Sequence, residues 1–377
     1  MLETSSQRRL LSVQALRGFA AILVLFLHCA ALQRDGLAPE RTAEAALLKG
    51  FWDQGYAGVD LFFVISGFIM VYVTQNHVPS LREAGRFLYS RASRIYPLYW
   101  ACTSVMILYF MASYGIPASP TLANGDYNLA LYTAKSLLLL PQSAMPVLGV
   151  GWTLIHEMYF YLVFAGILLL PRRYMLYCLG AWAALILGVR IVVTPDSYAK
   201  SIFAVVSSPL TLEFIAGALM GYLITRKIWL APKIITVIAA GLVLAALVYD
   251  HYFNVNRVWL YTIPFALLVY GVSAMEHLDR IHVPQWMVTL GDWSYSLYLT
   301  HMLVFLAIRR ILRMLSPHLP EAIRLQAVGA WDNIFFAVIT LVSAIVFSAL
   351  SYRFVEQPLL RVTKRFSKRK RLPEAKV

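Results

Sequence analysis

The sequence predicts an all-α protein, a bundle of about ten membrane-spanning helices with both termini in the cytoplasm. Of its 377 residues, 60% are apolar and only 14% are charged, whereas soluble domains have about 45–50% and about 25%. Mean hydropathy is +0.66, and several apolar runs reach the roughly 20 residues that a helix needs to cross a bilayer. These observations exclude an ordinary soluble enzyme, a disordered chain and a secreted disulfide scaffold.

Ten apolar runs are long enough to be spans, and we expect the first to be retained because no small-residue cleavage site follows it. The predicted spans are 11–32, 55–75, 96–114, 149–170, 174–193, 207–225, 234–250, 258–275, 291–313 and 331–352. Residues 129–140 are apolar but too few to cross, so we expect an interfacial or re-entrant helix there. We predict one integral-membrane domain over 1–355 and a basic cytoplasmic tail over 356–377.

Lysine and arginine positions predict the orientation of these spans. With the N-terminus inside, the inner segments carry about twice as many of these residues as the outer ones. The segment from Lys364 to Arg371, KRFSKRKR, accounts for much of the net charge of +14. We interpret it as an anchor on anionic lipid rather than a nucleic-acid-binding segment. Arg309, Arg310 and Arg313 fall on the predicted outer side, so either that span ends elsewhere or they face an internal cavity.

The first span carries two polar side chains, Arg17 and His28, which are 11 residues apart. This spacing is about three helical turns, so both project from nearly the same face with a rise of about 16 Å between them. A charge within the bilayer costs roughly 2.5–3.5 kcal/mol and persists where it faces a cavity, a partner or a substrate. The alternative is that Arg17 reaches the headgroups while His28 hydrogen-bonds between helices.

The second span and the following inner loop contain two further motifs. Asp60 precedes an apolar run; it either orients a histidine or a bound group, or caps the helix start. Gly58 and Gly67 permit close helix contact. Arg91 and Arg94 are three residues apart and share a helix face. Their guanidinium groups suit bidentate phosphate binding, and the alternative is a positive-inside anchor.

Later spans carry Glu157, Glu213, Asp292 and His301. Glu157 lies about five residues inside the fourth span, near its predicted outer end, where it could orient a base or bind a hydroxyl. His301 is either functional or a packing histidine, and the other two acids have no evident partner. The three cysteines are widely spaced in apolar stretches, so we predict no disulfide framework and no metal site.

Five motifs in this order resemble the integral-membrane acyltransferase family 3, and within it the bacterial exopolysaccharide O-acetyltransferase branch. They are R-x10-H in the first span, GVDLFFVISGF around Asp60, R-x-x-R-I-x-P from Arg91, W-T-L-x-x-E from Trp152 and S-Y-S-x-Y-L-x-H ending at His301. The closing RFVEQPLLR is also similar to the family's ending. Together these elements extend over nearly the whole chain.

The resemblance implies a multi-pass enzyme of the bacterial inner membrane. It would move an acyl group, usually acetyl, from cytoplasmic acyl-CoA to a hydroxyl of a cell-surface or exopolysaccharide sugar or its lipid-linked precursor. Acyl-CoA would be a co-substrate, with no permanently bound cofactor, and the partners would be a carbohydrate acceptor and the lipid bilayer. Two alternatives stay open, a secondary transporter and an assembly subunit of a polysaccharide export system. A transporter would not consume acyl-CoA.

The predicted site residues fall into three groups. The groups are catalytic His28, Glu157 and Asp60; acyl-CoA-binding Arg17, Arg91 and Arg94; and substrate-binding Trp152, Tyr295 and His301. Histidine, with a pKa of about 6.5, suits the task of activating a hydroxyl. We therefore expect His28 to act as the base or as a transient acyl acceptor, with Glu157 or Asp60 orienting its ring. Direct transfer predicts a pantetheine-sized tunnel from the arginines to His28.

Overall fold

A computed structural model describes residues 9–34, 53–119, 128–192, 200–253, 256–320 and 330–369. Within these ranges the chain is helical and contains no β-strand, so the predicted all-α class is confirmed. The helices are α1 (Leu11–Arg34), α2 (Ala57–Val73), α3 (Leu81–Tyr114), α4 (Leu129–Leu137), α5 (Gly151–Ile167), α6 (Met175–Val192), α7 (Ile202–Val206), α8 (Leu210–Thr225), α9 (Pro232–Phe253), α10 (Arg257–His277), α11 (Gln285–Leu315), α12 (Ala330–Ser351) and α13 (Gln357–Arg369).

Nine helical stretches in the described ranges are long and apolar enough to cross a membrane. They correspond to nine of the ten predicted spans, which confirms a polytopic helical bundle. The tenth prediction, 149–170, corresponds to α5, which has 17 residues. A helix of that length rises about 25 Å, somewhat less than the hydrocarbon thickness of about 30 Å. The fourth span is therefore shorter than predicted.

The segment before α5 explains its shortness. Three aromatic side chains near the middle of α3 donate hydrogen bonds to successive carbonyl groups at the end of α4. The pairs are Tyr99 with Ser136 (2.7 Å), Trp100 with Leu137 (2.8 Å) and Tyr96 with Leu138 (3.0 Å). Because these donors lie midway along a 34-residue helix, the chain reaches far into the bundle before α5 begins. The contacts favour the re-entrant alternative for this segment.

Glycines let several helices touch backbone to backbone. A Cβ on Gly67 of α2 would lie 1.8 Å from the carbonyl oxygen of Phe214 on α8, as the predicted close-contact role requires. A Cβ on Gly291 of α11 would lie equally close, 1.8 Å, to the carbonyl oxygen of Gln14 on α1. The helices that carry the candidate site residues Arg17 and His301 are thus in direct contact.

Two of the three arginines at the end of α11, Arg310 and Arg313, lie away from the bundle interior, and Arg309 is half-buried. This helix extends to Leu315, slightly beyond the predicted span end. Arg310 and Arg313 are exposed, and Arg310 donates a hydrogen bond to Ser113 at the end of α3 (3.2 Å). The structure therefore gives no support to the expectation that these two residues face an internal cavity.

The last span continues into further helix. A π-helical segment, Tyr352–Glu356, joins α12 to α13. The predicted boundary between residues 355 and 356 falls inside this helical stretch. Tail residues 370–377 lie outside the described ranges.

Candidate active site

Two adjoining cavities lie at the end of the bundle that carries the arginines of α3, here called the basic end. The polar cavity, of about 430 Å³, is bounded by residues that include Arg86, Tyr89, Arg91, Arg94, Asp292 and Gln357. The deep cavity, of about 100 Å³, is bounded by residues that include Arg17, Phe62, Ser66, Arg91, Arg94, Glu157, Tyr161, Tyr295 and Tyr298. The two cavities share the side chains of Arg91 and Arg94.

Positive charge exceeds negative charge around the deep cavity. Arg17, Arg91 and Arg94 face it together with a single carboxylate, Glu157. The Nε atom of Arg91 is buried and has no hydrogen-bond partner, while Arg17 donates to Gln14 (3.2 Å). Within the described ranges none of the three arginines forms an ion pair with Glu157. Because buried charges are costly unless compensated, this cavity suits an anionic ligand.

Glu157 lies among the arginines and not near the outer end of the fourth span as predicted. Its Oε1 atom accepts hydrogen bonds from Ser66 (3.2 Å) and from the Tyr161 hydroxyl. Because α5 begins inside the bundle, a residue at its seventh position already lies near the basic end. The carboxylate does not contact His28, so the expectation that it orients this ring is not supported.

The side chains of His28 and His301 form a pair between α1 and α11, with ring centroids 5.0 Å apart. The Nδ1 atom of His28 donates to the carbonyl of Val24 (2.9 Å), and that of His301 donates to the carbonyl of Leu297 (3.0 Å). Since a carbonyl oxygen only accepts, each neutral ring keeps its Nε2 lone pair available. The Nε2 atom of His301 is buried without a hydrogen-bond partner.

Tyr298 separates the histidine pair from the deep cavity. Tyr295, Tyr298 and His301 follow one another at three-residue steps along α11, about 4.5 Å per step. Tyr298 faces the deep cavity, and its ring centroid lies 6.1 Å from that of His301. Its hydroxyl is hydrogen-bonded to that of Thr153 (2.7 Å), and its ring packs edge to face against Phe62. One aromatic side chain thus stands between the arginines' cavity and the histidines.

Comparison with known proteins identifies the family. The profile of the acyltransferase domain matches residues 10–353, nearly the whole chain. The chain belongs to this acyltransferase family. The resemblance predicted from the motifs is confirmed.

Three curated proteins are similar to this acyltransferase. The exopolysaccharide production protein ExoZ of Rhizobium meliloti (strain 1021) is 33% identical over 316 residues, which are 81% of this chain and 90% of that protein. Acyltransferase MdmB of Streptomyces mycarofaciens is 27% identical over 390 residues, 94% and 92% of the two chains. Protein 2 in the picA locus of Rhizobium radiobacter is 27% identical over 177 residues, 44% of this chain and 85% of that one. No solved structure gives a significant match.

Asp60 of the acyltransferase lies in a separate buried cluster. Its Oδ1 atom accepts a hydrogen bond from Nε of Arg257 on α10 (2.9 Å), forming an ion pair. Glu213 of α8 is fully buried and interacts electrostatically with both residues. Asp60 therefore neither contacts His28 nor caps α2, whose start has no side-chain cap. The ion pair links α2 to α10.

The predicted substrate-binding residues do not form one group. The Tyr295 hydroxyl donates to the carbonyl of Ile95 (2.7 Å), and its side chain faces the deep cavity. His301 belongs to the histidine pair. Trp152 borders a third, smaller cavity of about 60 Å³ that includes Gln142 and Lys200.

Sequence reasoning missed Ser66, Tyr161 and Arg257 as partners of the predicted carboxylates. A local signal existed for Tyr161, because it follows Glu157 by four residues and so shares its helix face. Nothing local indicated the other two, since both depend on the packing of distant helices.

Proposed function

We propose that this acyltransferase is an O-acyltransferase. It transfers an acyl group, with acetyl expected, from cytoplasmic acyl-CoA to a hydroxyl of a cell-surface or exopolysaccharide sugar or its lipid-linked precursor. The observation that carries the proposal is the pair of adjoining cavities, in which a polar basic cavity opens beside a deep cavity that one side chain, Tyr298, separates from two histidines. The exopolysaccharide role in the name of the similar ExoZ protein supports a carbohydrate acceptor.

Acyl-CoA has an anionic nucleotide and a long, uncharged pantetheine arm, and the two cavities match these parts. Arg91 and Arg94 border both cavities, so they can bind the phosphates where the arm begins. Arg17 lies deeper and adds positive charge. In the proposed orientation, with both termini in the cytoplasm of a bacterial inner membrane, the basic end faces the cytosol. Acyl-CoA is a co-substrate and is released as CoA.

His28 is the proposed base. The Val24 carbonyl holds the proton on Nδ1, so that Nε2 can take the proton from the acceptor hydroxyl. The hydroxyl oxygen then attacks the thioester carbonyl carbon, the carbon–sulfur bond breaks, and the CoA thiolate takes the proton from His28. The unpaired Nε2 of His301 can accept a hydrogen bond from the acceptor beside it. Tyr298 must move for the thioester to reach this pair.

The carboxylates have different proposed roles. Glu157 faces the donor's cavity, where it holds Ser66 and Tyr161 and partly balances the arginines. The task of orienting His28, predicted for a carboxylate, passes to the Val24 carbonyl. No contact in the described ranges supports a catalytic role for Asp60.

The test is transfer of label from acetyl-labelled CoA to total cell polysaccharide in vesicles that contain the protein. His28→Ala should lower the appearance of alkali-labile labelled ester by about 100-fold or more, the usual contribution of a general base. His282→Ala, at an exposed histidine outside the site, is the matched control and should transfer normally.

Normal transfer by a correctly inserted His28→Ala protein would refute the base assignment. The wild type will also be given total polysaccharide and lipid-linked sugars as acceptors. If it leaves acetyl-CoA intact with all of them, the proposed reaction is contradicted. The transporter alternative would then be tested by uptake.

A further inference from the structure

The chain beyond the last span packs back against the basic end of the bundle. Glu356, in the π-helical segment, is buried and accepts a hydrogen bond from Ser296 of α11 (2.6 Å). At the far end, the Tyr89 hydroxyl of α3 donates to the carbonyl of Thr363 in α13 (3.2 Å). These two bonds tie the segment to α11 and α3. π-Helical turns are rare and occur frequently at functional sites.

One face of α13 borders the polar cavity. Gln357, Leu360 and Thr363 recur every three residues, lie on one side of the helix and all face this cavity. Across from them are Arg86 and Tyr89 of α3. The polar cavity is thus enclosed between α3 and α13, and it would lose one wall if α13 were absent.

The acidic groups of the polar cavity are already engaged. Asp292 pairs with Arg9 and accepts a hydrogen bond from Gln14 (2.7 Å), and Glu356 is bound to Ser296. Arg94, in contrast, forms no hydrogen bond or ion pair with any residue in the described ranges. Glu356 attracts Arg94 electrostatically but forms no ion pair with it. A guanidinium group without a direct acidic partner, beside hydroxyl, amide and aromatic groups, favours an anionic ligand with an aromatic part.

Size assigns the nucleotide to the polar cavity. At about 430 Å³, it falls within the range of about 300–1,000 Å³ that is typical of small-molecule sites. The deep cavity, of about 100 Å³, accommodates a narrow chain rather than a nucleotide. The nucleotide of acyl-CoA would therefore lie in the polar cavity and the pantetheine arm in the deep cavity. The phosphates that join these two parts would lie next to Arg91 and Arg94.

We infer that the polar cavity binds the 3′-phosphorylated adenosine diphosphate of acyl-CoA and that α13 forms one wall of this site, with Gln357 and Thr363 against the nucleotide. This inference rests on the proposed function. It gives the segment after the last span a role in donor binding in addition to the membrane anchoring predicted from its charge. A lipid phosphate has the same anionic chemistry, so the experiment must separate the two sources.

The test measures KM for three donors, acetyl-CoA, acetyl-3′-dephospho-CoA and S-acetylpantetheine, with the full-length protein in vesicles. Thr363→Glu places a negative charge in the cavity and should raise KM for acetyl-CoA about tenfold, equivalent to about 1.4 kcal/mol. The increase should be smaller for the dephospho donor and absent for S-acetylpantetheine. Thr363→Lys should leave KM for acetyl-CoA unchanged or lower it. Opposite effects of Glu and Lys at one position would show that the sign of the charge matters, whereas a loss of packing would affect both variants alike.

Val362→Glu is the matched control, because it adds the same charge to the same helix at a residue that is 48% exposed and does not border the cavity. It should leave KM for all three donors unchanged. An equal KM increase for S-acetylpantetheine, or no increase for acetyl-CoA with Thr363→Glu, would overturn the inference. An increase that disappears in vesicles without anionic lipid would assign the site to lipid and also overturn it. Failure of the wild type to use any donor would instead refute the proposed function.

Discussion

Among the described residues, Glu157 is the only carboxylate that faces the deep cavity, and three arginines, Arg17, Arg91 and Arg94, also face it. Glu157→Gln keeps the side-chain shape and a hydrogen-bond acceptor for Ser66 and Tyr161 but removes the negative charge. We expect the unliganded protein to lose about 1–3 kcal/mol of stability, because the buried guanidinium groups become less compensated. Added CoA should restore part of this loss, because its phosphates supply the missing charge.

The measurement is thermal unfolding in detergent with and without CoA. CoA should raise the midpoint of Glu157→Gln more than that of the wild type. Tyr161→Phe removes one hydrogen bond to the carboxylate but no charge, and it should respond to CoA as the wild type does. An equal CoA shift in wild type and Glu157→Gln would show that Glu157 does not balance the arginines.

Sequence predicts relations within one helix far better than contacts between helices. The common face of Arg17 and His28 follows from helical periodicity alone. The ion pair of Asp60 with Arg257 joins residues 197 positions apart, and the bond from Ser66 to Glu157 joins residues 91 positions apart. Hydropathy and spacing carry no information about such pairs. The sequence therefore could not show which side chains contact the carboxylates of Asp60 and Glu157.

At the scale of elements, the contact of α1 with α11 positions both histidines and Arg17. Gly291→Ala would place a methyl group 1.8 Å from the Gln14 carbonyl oxygen, so the helices must separate. We expect a loss of about 1–3 kcal/mol, the usual cost of overpacking, together with reduced acyl transfer. Thermal unfolding in detergent and the vesicle transfer assay measure the two effects.

Gly241→Ala provides the matched control for that substitution. A Cβ on Gly241 of α9 meets open space, and alanine inside a helix is more favourable than glycine by about 0.5–1 kcal/mol. This variant should therefore be at least as stable as the wild type and fully active. If Gly291→Ala were equally stable and active, the close α1–α11 contact would be wrong.

Nine spans could be predicted because their apolar runs match the bilayer thickness, a property that belongs to each run alone. The start of α5 could not be predicted in the same way. It depends on Tyr96, Tyr99 and Trp100 of α3, which hold the end of α4 deep in the bundle. Charge led the segment after α12 to be interpreted as a tail, whereas packing against α3 makes α13 part of the bundle's basic end.

At the scale of the whole molecule, the number of crossings and the distribution of lysine and arginine together predict on which side the two cavities open. In the part of the chain that the structure describes, the nine candidate spans together with α5 give ten crossings, and an even number places both ends of that part on the same side. The unequal distribution of lysine and arginine then favours the cytoplasm for both termini. The proposed access of cytoplasmic acyl-CoA to the basic end depends on this orientation.

The orientation can be measured with cysteines introduced one at a time and labelled on intact cells by a maleimide that does not cross the membrane. Arg82→Cys lies at the exposed start of α3 and should be labelled only after the cells are lysed, whereas His251→Cys, at the exposed end of α9, should be labelled in intact cells. The native Cys29 and Cys102 are buried, and the unmodified protein gives the background for all three native thiols. Labelling of Arg82→Cys in intact cells, with His251→Cys protected, would invert the bundle and place the polar cavity out of reach of cytoplasmic acyl-CoA. Labelling of both from the same side would show that the number of crossings between α3 and α9 is wrong, because an odd number of crossings must separate residues on opposite faces.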